Sequence, residues 1–165
     1  MSGVNTIDQL FVEELKDIYS AETQITKALP KMVKAATSEE LKTAFKEHLE
    51  ETEGQIERLD QIFENLHINP KGKTCDGLKG VLEEGEEMLK ETGEGSVRDA
   101  ALISAAQRVE HYEMAAYGAV RTYAEKLGKK QFVELLQETL EEEKAADNKL
   151  TQIALKVQQQ ALRAA

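Results

Sequence analysis

Tryptophan is absent from this 165-residue chain, aromatic residues make up 5% of it, and cysteine occurs once. A single cysteine excludes an intramolecular disulfide, so packing must hold the fold; a reducing compartment fits, and Cys75 is expected in a loop. Proline is confined to positions 30 and 70, which leaves long stretches with nothing to break a helix. Basic residues are outnumbered, 21 against 31 acidic, for a formal net charge of −10. That excess repels phosphate backbones and anionic lipid, so neither a nucleic acid nor a membrane is expected as a partner. No apolar run reaches the roughly 18 residues of a membrane-spanning helix. The start, MSGVNTIDQL, lacks the basic segment and apolar core of a signal peptide, and a soluble cytoplasmic protein is the expectation.

What is present points to helix. Ala, Glu, Lys, Leu and Gln dominate, and no segment alternates with period two. With 41% hydrophobic residues the chain can bury the core of one domain, taken as residues 1–165. Thr6 with Gln9 and Thr37 with Glu40 have capping-box spacing, Ser96 with Asp99 is a looser version, and Gly128 before two lysines reads as a stop and tight turn. Four helices are predicted, over 6–36, 38–66, 97–127 and 130–162. Each is roughly 45 Å long. Near-equal lengths and two short bends describe two antiparallel hairpins, 6–66 and 97–162, whose apolar faces bury one another in an all-α four-helix bundle. The crossover, residues 67–95, is too long for a turn and carries a short amphipathic helix of its own on Leu78, Val81, Leu82, Met88 and Leu89. A connection of that length can run the height of the bundle and set helices two and three parallel, a ferritin-like topology; up-down-up-down order with a loose insert is the alternative.

Projection at 100° per residue exposes the chemistry. In helix one, Phe11, Leu15, Ile18, Ile25, Leu29 and Val33 surround Glu22. In helix three, Leu102, Ala106, Val109, Ala116, Tyr117 and Val120 surround Glu113, with Glu110 about 60° to one side. In helix four, Glu143 lies within the stripe of Phe132, Leu136, Thr139, Leu140 and Leu150, with Asp147 near its edge. Helix two is less clean: on the stripe of Leu41, Phe45, Leu49, Thr52, Ile56, Leu59 and Phe63, Gln55 is about 65° off centre and Glu51 about 100°. Height is an independent criterion. Glu22 and Glu51 are equidistant from the first bend, Glu113 and Glu143 from Gly128, and one turn further out Tyr19 pairs with Gln55 and Glu110 with Asp147.

Carboxylates gathered at one height inside a core need a common source of positive charge, and no lysine or arginine lies centrally on these stripes. Two divalent cations would supply it. The competing reading has the glutamates reaching outward or pairing with edge cations such as Lys16 or Arg58.

YSAETQ, HLEETEGQIERL, VEHYEMAAY and EEEKAADNKL, one segment in each helix, resemble the bacterial YciE/YciF-type ferritin-like stress proteins. The resemblance spans nearly the whole chain. It implies a homodimeric ferritin-like bundle with a di-metal carboxylate centre and a ferroxidase activity that oxidises Fe(II) with O2 or peroxide. It places the metal ligands at Glu22, Glu51, Gln55, Glu110, Glu113, Glu143 and Asp147. Iron is the metal it implies. One departure bears on that: the usual Glu-x-x-His is missing, since Gly54 and Ala146 stand three residues after Glu51 and Glu143. An oxygen-rich site admits manganese, magnesium or calcium as well. His111 projects to the surface and His67 lies at a helix end; His48, one turn before Glu51, and Tyr19, one turn before Glu22, are candidates to touch the ligands from outside. Tyr112 and Tyr117 read as packing aromatics. The alternative function is a non-catalytic bundle that metal merely stabilises.

Overall fold

A computed structural model describes residues 3–163, and within them the chain forms five α-helices and no strand. They are α1 (Ile7–Ala35), α2 (Glu39–Leu66), α3 (Asp76–Glu91), α4 (Ser96–Lys126) and α5 (Lys130–Arg163). The five match the four long helices and the short crossover helix read from the sequence. Residues 1, 2, 164 and 165 of the expected domain lie outside the described residues.

The helix ends show why the breaks fall where they do. Thr6 Oγ1 accepts from the Gln9 backbone N–H at 3.2 Å, while Gln9 reaches back to the N–H of Asn5 at 2.8 Å. At α2 the cap is Ser38, accepting from the Leu41 N–H at 3.3 Å, rather than the expected Thr37. The reason lies on another helix: the Asp99 carboxylate accepts from the N–H groups of Thr37 and Ser38 at 2.7 and 2.8 Å. Asp99, read as a capping partner for Ser96, is buried and serves α2 instead; α4 starts after Gly95 with no side-chain cap. Gly128 turns the second bend at φ 70°. Cys75, expected in a loop, is the fully buried residue just before α3, its Sγ 3.0 Å from the Tyr112 hydroxyl. Two residues on, a Cβ at Gly77 would stand 2.8 Å from that hydroxyl, so a side chain there would have to displace the Tyr112 ring.

Apolar burial is divided between the two ends of the molecule. Phe11, Leu15 and Ile18 of α1 pack with the end of α2 (Leu59, Ile62, Phe63), the end of α4 (Tyr117, Val120, Ala124) and the start of α5 (Phe132, Leu136). At the other end Ala21, Ile25 and Leu29 meet Leu41 and Phe45, Leu102 and Ile103, Leu150 and Val157, with Leu78 of α3 added. It follows that α1 runs antiparallel to both α2 and α4, and α5 antiparallel to the same two. α2 and α4 therefore run the same way, and residues 67–95 carry the chain back along the full height, with α3 lying on α1 and α4. Between the two apolar clusters sits a layer of buried polar side chains: Glu22, His48, Thr52, Gln55, Glu110, Glu113, Thr139 and Glu143. Among the described residues no helix is long and apolar enough to cross a membrane.

Candidate metal centre

Four helices supply the polar layer. α1 brings Glu22, α2 brings His48 and Gln55, α4 brings Glu110 and Glu113, and α5 brings Glu143, each at most 6% exposed. One ligand atom from each of His48, Glu110, Glu113 and Glu143 lies within 4.8 Å of all the others. His48 Nε2 is 3.3 Å from Glu110 Oε1 and 3.9 Å from Glu143 Oε2, and its Nδ1 is 3.3 Å from Glu51 Oε2. Glu22 lies beside Glu113 and accepts a hydrogen bond from the Tyr117 hydroxyl.

This layer is short of donors. Glu22 Oε2, Glu110 Oε2, both carboxylate oxygens of Glu113 and of Glu143, and Gln55 Oε1 are buried without a hydrogen-bond partner. Among the described residues their one cationic neighbour is the imidazole of His48. The edge cations are engaged elsewhere: Lys16 with Glu13 at 3.3 Å, and Arg58 with Glu138 at 2.8 Å and Glu142 at 2.6 Å. Burial, reinforced by the charge of Glu143, pushes Glu22 up to about 8. Burial and neighbouring carboxylates hold Glu110 and Glu113 well above the ordinary range, and burial raises Glu143. Burial works against a charged His48, but the hydrogen bond its ring donates to Glu51 and the carboxylates around it raise its pKa overall. Without cations the layer keeps protons that carboxylates usually lose by neutral pH. A divalent cation would replace those protons, and unpartnered oxygens plus one imidazole form a donor set suited to it.

Of the residues expected as ligands, the structure brings together Glu22, Gln55, Glu110, Glu113 and Glu143. Glu51 is half exposed and meets the layer only through His48 Nδ1. Asp147 turns to the side, toward Gln107 Nε2 at 3.1 Å and the exposed His111 at 3.4 Å. Tyr19, expected near a ligand carboxylate, packs edge-on against Phe63 with its hydroxyl toward Asp60. His48, expected outside the ligand set, stands within it.

On α2 the buried face runs Leu41, Ala44, Phe45, His48, Thr52, Gln55, Leu59 and Ile62, while Leu49 and Ile56 are only partly covered. Glu51 lies about 100° from the centre of the apolar stripe, and only its equal distance from the first bend and the family resemblance favour it in the sequence. Tyr117, read as packing alone, was missed as the donor to Glu22; its place one turn after Glu113 on the same face was the available signal.

A family model described as Domain of unknown function (DUF892) matches residues 6–163. Protein YciF of Escherichia coli (strain K12) is 50% identical over 154 residues, covering 93% of this chain and 93% of that protein. The crystal structure of the E. coli stress protein YciF superposes with a TM-score of 0.90 at 50% identity, over 93% of this chain and 98% of that one. YcfI from Rhodopseudomonas palustris follows at 0.87 and 47%, over 90% and 94%. A protein from Xanthomonas campestris pv. campestris reaches 0.78 at 18% identity over 96% and 98%, a likeness of fold alone.

Proposed function

This chain belongs to the DUF892 family and is YciF-like, and on that premise we propose that it is a cytoplasmic, homodimeric ferritin-like bundle of the bacterial stress response whose polar layer binds two ferrous ions and oxidises them with O2 or peroxide. The observation that carries this reading is the layer itself: four buried carboxylates and one imidazole at a single height, rich in acceptors and poor in donors. The long crossover and the four antiparallel contacts between α1 or α5 and α2 or α4 agree with a ferritin-like arrangement.

The division of labour follows from position. His48, Glu110 and Glu143 would hold one ion, and Glu22 the other. Glu113, both of whose oxygens lack a hydrogen-bond partner, belongs to the same cluster and would add a carboxylate to it. Two ferrous ions supply one electron each to the oxidant. Glu51 orients the imidazole through Nδ1 and leaves Nε2 facing inward; Tyr117 holds one oxygen of Glu22 by donating to it. The single imidazole moves the donor set back toward iron or manganese and away from magnesium or calcium.

Anaerobic Fe(II) titration followed by admission of oxygen tests this. About two iron atoms per chain should bind, with oxidation faster than in buffer, and both should be lost in Glu22→Ala/Glu113→Ala. Binding without accelerated oxidation would favour the metal-stabilised, non-catalytic bundle. A melting temperature indifferent to Fe(II), Mn(II) and chelator alike would refute a metal centre of either kind.

A further inference from the structure

A buried layer of acceptors has to be filled from outside, and a divalent cation that crossed purely apolar packing would shed its water with nothing in exchange. The two apolar clusters close the approach from either end of the molecule. The seam between α2 and α5 is different. A cavity of about 100 Å³ is bordered there by the exposed Glu47, Glu51 and Lys149, and its inner lining includes His48 and Glu110. His48, at 6% exposed, is the shallowest member of the layer, whereas Glu22, Gln55 and Glu143 are wholly covered. Glu110 is 2% exposed, and its Oε2 has no hydrogen-bond partner. The imidazole stands between the outer and inner carboxylates, with Nδ1 3.3 Å from Glu51 Oε2 and Nε2 3.3 Å from Glu110 Oε1. An ion entering here can exchange water for protein ligands one at a time.

The mouth is acidic and loosely latched. Glu47 and Glu51 also border a surface depression together with Glu50, Glu142 and Arg58. Arg58 is engaged by Glu138 and Glu142, and Lys149 by Glu47. Among the described residues that leaves Glu50 without a cationic partner and Glu51 with the His48 imidazole alone. The Lys149–Glu47 pair ties α5 to α2 across the opening; both side chains are about half exposed, and such a pair is weak and opens readily. Ala44, Ala106 and Ala146 leave the space behind it. We propose that this cavity is the port by which divalent cations reach the layer, drawn in by Glu50 and Glu51 and passed to His48 and Glu110 when the Lys149–Glu47 pair opens. The port depends on the metal-binding half of the function proposed above and not on oxidation. Contact with Glu51 in passing changes rates of loading and leaves affinity to the buried ligands.

Stopped-flow loading of the chelator-stripped, full-length protein with Co(II), followed by its visible absorbance, tests the port without turnover. Ala146→Phe sets a ring across the mouth. It should slow both Co(II) entry and Co(II) removal by a competing chelator about tenfold and leave the dissociation constant unchanged, because one mouth serves both directions. Ala145→Phe, at an exposed position on the same wall, repeats the test if Ala146→Phe does not fold. Lys149→Met, which removes the latch, should speed entry and removal alike. Glu50→Gln should slow entry, whereas Glu84→Gln on α3, the same change of charge away from the mouth, should not. Entry and removal rates that stay at the wild-type values in the phenylalanine variants would overturn the port and leave the metal centre standing. Wild-type protein that takes up no Co(II) would remove the two together.

Discussion

Replacing Glu22 by Gln should make the metal-free protein more stable at pH 8, although it removes a proposed ligand. Glu22 is fully buried, and its carboxyl is pushed up to about 8 from an ordinary value of 4.5. The folded state therefore holds this proton more tightly than the unfolded chain does. The stability so contributed is complete below about pH 4.5 and is lost as the pH rises through about 8. A shift of this size, at 1.36 kcal/mol per pH unit, corresponds to about 5 kcal/mol between the two limits. For a chain of this length that is roughly 10–20 °C in melting temperature. The assay is urea or thermal unfolding of chelated wild type and Glu22→Gln between about pH 5 and 8.5. The two should unfold nearly together at the acid end and diverge as pH rises, with the variant the more stable. Mn(II) should stabilise the wild type more than the variant, closing or reversing the gap. A difference between the two that stays constant across that pH range would refute the account of the layer as a set of protons awaiting replacement by cations.

Two further outcomes separate site from scaffold. His48→Ala should weaken Mn(II) binding tenfold or more by calorimetric titration, whereas Glu51→Ala, which acts only through Nδ1, should cost less. Asp99→Ala should remove both acceptors for the Thr37 and Ser38 N–H groups, cost about 2–3 kcal/mol, lower the melting temperature by roughly 5–10 °C, and leave Mn(II) affinity unchanged.

How much of this was legible depended on what each helix buries. On α1, α4 and α5 a glutamate sits amid large apolar neighbours, so Glu22, Glu113 and Glu143 stood out as inward-facing before any contact was known. Equidistance from Gly128 correctly set Glu113 and Glu143 at one height, because a hairpin with a three-residue bend fixes that relation locally. On α2 equidistance from the first bend favoured Glu51, which lies about 100° off the apolar stripe and is half exposed, while His48 one turn earlier faces inward.

The sequence by itself determined the helices, their ends to within a residue or two, the two hairpins, the crossover helix and most of the buried carboxylates. These follow from capping residues, turn glycine and the 3.6-residue period, all properties of neighbours along the chain. The tertiary structure decided which side of α2 faces inward, that Asp99 of α4 caps α2, that Tyr117 of α4 reaches Glu22 of α1, and that alanines on several helices leave a common space beside His48. Each of those depends on the rotation of one helix about its axis relative to another. Packing sets that angle, and a shift of a few tens of degrees exchanges a buried ligand for an exposed glutamate.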